Sequence, residues 1–239
     1  MFTQGDYDIR CEWGAAGIDQ LVPSSDAIII VDVLSFSTSV DIATANGALI
    51  YPFRWRDDTA VAFARSIGAL LAGRSRASLD EYSLAPTSLL NIPRGTRLVL
   101  PSPNGSTLSL ATGEVRTLAG CLRNARAVAR GALDVGPRVS VIPAGERWED
   151  GTLRPCVEDL IGAGAVIHYL EGSKSPEAEA AEAAFLHFRD NLSECLRRCG
   201  SGRELIALDQ ERDVDLAVAL NESDCVPLLT NGAYVRHGS

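Results

Sequence analysis

Ala27-Ile28-Ile29-Ile30-Val31-Asp32-Val33 is the stretch that decides the fold class. A β-branched run without polar alternation is the pattern of a strand buried on both faces, as in a parallel sheet covered by helices. Downstream, a short helix is expected from about Thr38 to Asn46, ended by Gly47. Ala48–Phe53 reads as a second strand, and Asp57 and Asp58 stand at an N-cap before a helix reaching about Ala72. Further strands are expected at Arg97–Leu100, Val115–Leu118 and Arg138–Pro143, with helices over Leu122–Leu133 and Val157–Leu170. Ser175 to about Cys199 is Ala/Glu-rich and helical, Arg212–Leu220 is a last helix, and Val226–Thr230 a late strand. Repeated strand–loop–helix units predict an α/β protein, a three-layer α/β/α arrangement around a largely parallel sheet. The chain is read as one domain over 1–239. A division into two α/β lobes between about Ala111 and Val139, with the site between them, is left open.

The composition narrows the function. The 239 residues carry 22 Lys+Arg against 31 Asp+Glu, a net charge of −9, and an isoelectric point near 4.9. An acidic chain lacks the basic face that displaces counterions from nucleic acid. No apolar run approaches the roughly 20 residues of a membrane span. Met1–Asp6 has neither the basic start nor the apolar run of a signal peptide, so a cytoplasmic location is expected. Lys174 is the only lysine, in the polar stretch Gly172–Pro176, so P-loop and Schiff-base chemistry have no candidate residue. Any anion would be held by Arg, by backbone N–H groups or by a metal ion. Cys11, Cys121, Cys156, Cys195, Cys199 and Cys225 show no Cys-x-x-Cys, and His168, His187 and His237 lack ligand spacing; reduced thiols are expected.

In such folds ligands bind beyond the carboxyl ends of the strands, and three strand ends carry polar clusters. Asp32-Val33-Leu34-Ser35-Phe36-Ser37-Thr38 places an acid and hydroxyls at a helix start, where Ser37 and Thr38 serve either as N-caps or as anion ligands. Pro101-Ser102-Pro103-Asn104-Gly105-Ser106 is either a plain Asn-Gly turn or a loop in which Asn104, Ser106 and the amides near Gly105 cradle an oxyanion. Pro143-Ala144-Gly145-Glu146 and Glu158-Asp159 bring acids at a strand end and in a first helical turn. Adjacent acids point in different directions, so one of Glu158 or Asp159 is expected in the crevice. Gly162 and Gly164, unfavourable inside a helix by about 1 kcal/mol each, predict close backbone packing. Asp32, Glu146 and one of Glu158 or Asp159 form a donor set for Mg²⁺, which prefers oxygen ligands and keeps waters. Arg123-Asn124 opens a helix, and its guanidinium would meet a phosphate or sulfonate bidentately.

These motifs, in this order, resemble the 2-phosphosulfolactate phosphatase family of coenzyme M biosynthesis. The resemblance rests on Val31–Thr38, Pro101–Ser106, Leu122–Ala125, Ile142–Glu146, Glu158–Gly164 and Asp224–Leu229. It implies an α/β fold and Mg²⁺-dependent hydrolysis of (2R)-2-phospho-3-sulfolactate to (2R)-3-sulfolactate and phosphate. Asp32, Glu146 and Asp159 would then be catalytic, with Asp32, Glu146, Glu158 and Asp159 as the metal-ligand set. Ser35, Ser37, Thr38, Asn104, Gly105, Ser106, Arg123 and Asn124 would bind substrate, a small anionic phospho-acid. A homodimer is the oligomer the reading leaves open. Many members carry an Arg where this chain has Ser35, and a Gly-Glu pair where it reads Gly73-Arg74, which implies a rearranged anion site. The rival readings are a phosphatase for another phospho-acid and a non-catalytic anion-binding or regulatory relative. The Asp-x-Asp-x-Thr pattern of haloacid dehalogenases fails at Leu34.

Overall fold

The computed structural model describes residues 3–73 and 81–238. Its centre is a nine-stranded sheet in the order β1-β7-β2-β6-β10-β11-β3-β5-β4. The strands are β1 Ile9–Cys11, β2 Ala27–Val31, β3 Leu49–Phe53, β4 Leu70–Leu71, β5 Arg97–Pro101, β6 Arg116–Gly120, β7 Val139–Pro143, β10 Pro227–Thr230 and β11 Ala233–Arg236. A separate hairpin pairs β8 (Glu146–Arg147) with β9 (Leu153–Arg154). β1, β7, β2 and β6 are mutually parallel, as are β3, β5 and β4. The antiparallel hairpin β10–β11 joins the two blocks, pairing antiparallel with β6 on one side and β3 on the other. The sheet is therefore mostly parallel, with its two blocks running in opposite senses.

β2 reads as expected of a strand buried on both faces. Ala27, Ile29 and Val31 face α5 (Ala125–Leu133), α6 (Val157–His168) and α7 (Pro176–Phe188). Ile28 and Ile30 face α1 (Gly14–Leu21) and α4 (Gly105–Ala111) through Ile18, Leu21 and Leu108. Over the second block, α2 (Phe36–Ala45) covers Ile50, Leu98 and Leu100, while α3 (Asp58–Ser66) covers Tyr51 and Val99. Three short helices, α8 (Leu192–Arg198), α9 (Gly200–Ala207) and α10 (Glu211–Ala217), close the core beside α6. The layers are α/β/α.

Some expectations are corrected. The helix expected to reach Ala72 ends at Ser66; Gly68, in the left-handed region at φ +62°, stops it and frees Leu70–Leu71 to pair with β5. The division near 111–139 has no counterpart in the sheet, because β2 lies between β6 and β7 and is paired with both. β1, α1, α4 and β11 carry no clear sequence signal. β1 has only three residues, and the hydroxyl-rich Gly105-Ser106-Thr107 resembles a turn.

The helix glycines behave as expected. A Cβ on Gly162 would stand 2.5 Å from Val33 Cγ2, and one on Gly164 would enter the carbonyl of Ala181 on α7. Gly→Ala normally stabilises a helix interior by about 1 kcal/mol. Here Gly164→Ala should reverse that sign and lower stability by about 1–3 kcal/mol, because α6 and α7 must separate. A thermal unfolding midpoint at or above wild type would refute the close packing.

Candidate active site

Two buried aspartates organise the carboxyl end of β2. Asp32 follows the strand and bridges two helix starts: its Oδ1 accepts from Phe36 N at 3.2 Å and its Oδ2 from Gly105 N at 2.9 Å. Asp159, in the first turn of α6, accepts from Val33 N and Gly145 N, each at 2.8 Å. The loops after β2 and β7 and the starts of α2, α4 and α6 are thereby tied through two carboxylates. β5 runs opposite to β2, yet the helix that follows it starts at Asp32. At about 20–25° of twist per strand, the strands between them rotate β5 far from a simple opposed alignment. Gly105 is obligatory there, since a Cβ would collide with the Phe36 ring and stand 2.8 Å from Asp32 Oδ2.

The electrostatics are those of anions short of a cation. Burial, then the charges of Asp32 and Glu158, hold the Asp159 carboxyl well above the usual carboxylate range, against the two amides that donate to it. Glu158 is buried but turns away, toward Cys199, so of the adjacent acids it is Asp159 that joins Asp32. Glu146 lies on β8 and lines a neighbouring cleft of about 230 Å³, together with Asn104, Thr107, Arg147 and the start of α1. Among the described residues no three His, Cys, Asp or Glu side chains form a metal-ligating group. The four-acid set expected from sequence is thus not assembled. The pair Asp32/Asp159 still fits Mg²⁺, which is commonly held by one or two carboxylates with waters and a substrate phosphate supplying the rest. Each carboxylate oxygen has given one lone pair to an amide and keeps a second.

The other expected ligands divide. Asn104 lines the cleft, is nearly buried, and its side chain makes no hydrogen bond among the described residues. Ser35 is buried at the N-cap of α2, beside Asp32 in the chain. Ser37 donates to Ile30 O and accepts from Asp32 N, Thr38 donates to Val33 O, and Ser106 donates to Leu100 O. These three hydroxyls brace the loops that hold the aspartates. Arg123 is a correction: its Nε pairs with Asp41 Oδ2 at 3.1 Å and its Nη1 donates to Leu216 O. Asp41 lies in α2 with no exposed side-chain surface, and a buried carboxylate captures the nearest guanidinium. Asn124 is likewise internal, accepting from Cys121 N and donating to Ala119 O. Arg74 lies outside the described residues. Trp13, Thr107, Arg147 and Leu153 line the cleft without having been singled out, because only the fold brings the β8–β9 hairpin beside α1 and α4. All six cysteines are free, and burial pushes the Cys121 thiol up to about 12, which removes it as a nucleophile.

The model of the family described as 2-phosphosulpholactate phosphatase matches residues 18–232, which takes in both aspartates, the cleft hairpin and every strand from β2 to β10. The chain belongs to the 2-phosphosulfolactate phosphatase family. It is 32% identical over 207 residues to a probable 2-phosphosulfolactate phosphatase of Carboxydothermus hydrogenoformans, covering 84% of this chain and 85% of that one. To the 2-phosphosulfolactate phosphatase of Methanothermobacter thermautotrophicus it is 30% identical over 210 residues, covering 87% and 88%. A probable member from Parasynechococcus marenigrum is 29% identical over 219 residues, covering 85% and 89%. Such coverage makes this a whole-length member of the 2-phosphosulfolactate phosphatases rather than a shared fragment. No helix among the described residues is long and apolar enough to cross a membrane.

Proposed function

We infer that the protein hydrolyses the phosphate monoester of (2R)-2-phospho-3-sulfolactate, giving (2R)-3-sulfolactate and phosphate. Family membership over nearly the whole chain supports the reaction. The observation that carries the site is the pair of buried aspartates at the end of β2, each fixed by two backbone amides. Water adds to phosphorus, the bond from phosphorus to the C2 oxygen breaks, and the alcohol leaves with a proton. Asp32 and Asp159 would hold Mg²⁺, which when bound neutralises the charge developing on the phosphoryl oxygens. The amide grip on each carboxylate fixes its orientation before substrate arrives, so little reorganisation is needed in the transition state. Asn104, with its amide facing the cleft, is placed to donate to the substrate. The reading includes a cytoplasmic location, which the free thiols suit.

The test is phosphate release from 2-phospho-3-sulfolactate with added Mg²⁺ and with EDTA. Activity should require the metal, because the protein brings no lysine, and Arg123 is committed to Asp41. Full turnover in EDTA would remove the metal from the reading. Absence of turnover with Mg²⁺, alongside turnover of another phospho-acid, would replace the substrate.

A further inference from the structure

The start of α1 differs from the other helix starts near the site. α2 and α4 each give an amide to Asp32, and α3 and α7 are capped by the side chains of Asp57 and Ser175. α1 has no side-chain cap and no acid in its first turn. The amides of Gly14, Ala15 and Ala16 find no acceptor among the described residues, and all three residues line the cleft. Unpaired first-turn amides with the positive end of the helix dipole favour an anion. Two side chains point to the same ligand independently. Asn104, 9% exposed, lines the cleft with an unpartnered amide, and the buried Thr107 Oγ1 beside it has no partner. Arg147 is the one cation among the lining residues, held only by a donation from Nη1 to Gly151 O at 3.3 Å. Ala144, next to the Gly145 whose amide holds Asp159, forms the wall toward the aspartates.

We propose that this cleft is the subsite for the substrate's sulfonate and that Arg147 determines specificity for it. The proposal rests on the phosphosulfolactate reading. A sulfonate spreads one charge over three oxygens, so it can take a guanidinium, a side-chain amide and helix N–H groups together. The phosphoryl group would then stay at Asp32 and Asp159, where no cationic side chain is required. Glu146, the single acid lining the cleft, lies next to Arg147 in the chain.

Calorimetric titration with 3-sulfolactate, and with lactate as the analogue lacking the sulfonate, tests this in wild type, Arg147→Ala and Ala15→Asp. Wild type should prefer sulfolactate, and Arg147→Ala should bind it at least about tenfold more weakly while its lactate affinity stays put. Ala15→Asp places an acid in the exposed first turn of α1, which should keep or raise the melting temperature while weakening sulfolactate binding. Those opposite signs would not arise from a structural role. Wild-type sulfolactate affinity in either variant, or no sulfolactate binding by wild type, would overturn the proposal. Wild type that hydrolyses 2-phospho-3-sulfolactate while Arg147→Ala keeps its affinity and kcat/KM overturns the cleft assignment alone. Sulfolactate binding that is lost in Arg147→Ala, with no hydrolysis by wild type, supports the cleft and overturns the reaction.

Discussion

Asp32→Asn should lower kcat by about 10²-fold or more, the scale for losing a charged group at a site that acts mainly through electrostatics. It should also cost stability. The carboxylate takes an amide on each oxygen, from Phe36 and from Gly105. Asparagine offers one carbonyl oxygen and turns an NH₂ group toward the second amide, so a buried donor loses its acceptor at about 1–3 kcal/mol. Activity must therefore be measured where circular dichroism shows the variant folded. Asp159→Asn, which meets Val33 N and Gly145 N in the same way, should behave alike. A folded Asp32→Asn enzyme within threefold of wild-type kcat would place the chemistry elsewhere.

The largest stability effect is expected at Arg123, and it should leave catalysis alone. Removing one partner of a buried ion pair typically costs about 3–5 kcal/mol, because the remaining charge keeps its desolvation penalty. Asp41 would keep the 2.7 Å hydrogen bond from Ser223 Oγ but lose the guanidinium. For a chain of this length, Arg123→Ala should thus lower the melting temperature by about 6–20 °C. Below the transition, kcat/KM should stay within about twofold of wild type, since Arg123 faces Asp41 and Leu216 O rather than the aspartate pair. The double variant Arg123→Ala/Asp41→Asn should recover part of the loss, as coupled neighbours do. The pH dependence has a defined sign. Burial already raises the Asp41 carboxyl, opposed by Ser223 and Arg123, and removing Arg123 raises it further. A group whose folded-state pKa exceeds its unfolded value binds protons more tightly when folded, so stability falls as pH rises through the folded value. The deficit of Arg123→Ala should be largest at neutral pH and shrink toward the unfolded value for Asp. A kcat/KM loss with an unchanged melting temperature would return Arg123 to the active site.

The sequence by itself determined the α/β class, the buried central strand at Ala27–Val31 and the acid at its end. Those follow from local features: uninterrupted β-branched residues, glycine and acid helix caps, and a strand–helix alternation that a chain cannot satisfy without a covered parallel sheet. It also carried the family likeness and the close packing at Gly162 and Gly164, because a glycine inside a helix costs stability that a close-packed neighbour, with no room for a Cβ, makes unavoidable. Partner choice was not legible. Asp32, Arg123 and Ser37 have the same chemistry in the sequence whether they meet a ligand or another part of the chain. Only the tertiary structure sent Arg123 to Asp41, separated from it by 82 positions, and gave Ser37 to the β2 backbone. It alone paired Asp32 with Asp159 and turned Glu158 aside, since adjacent helical acids diverge by about 100° and the packing of α6 picks one. The cleft depended on the fold still more, for its walls come from four separate segments of the chain. No local pattern marks such a place, because a pocket is made by the packing of segments whose separate sequences each look like ordinary surface.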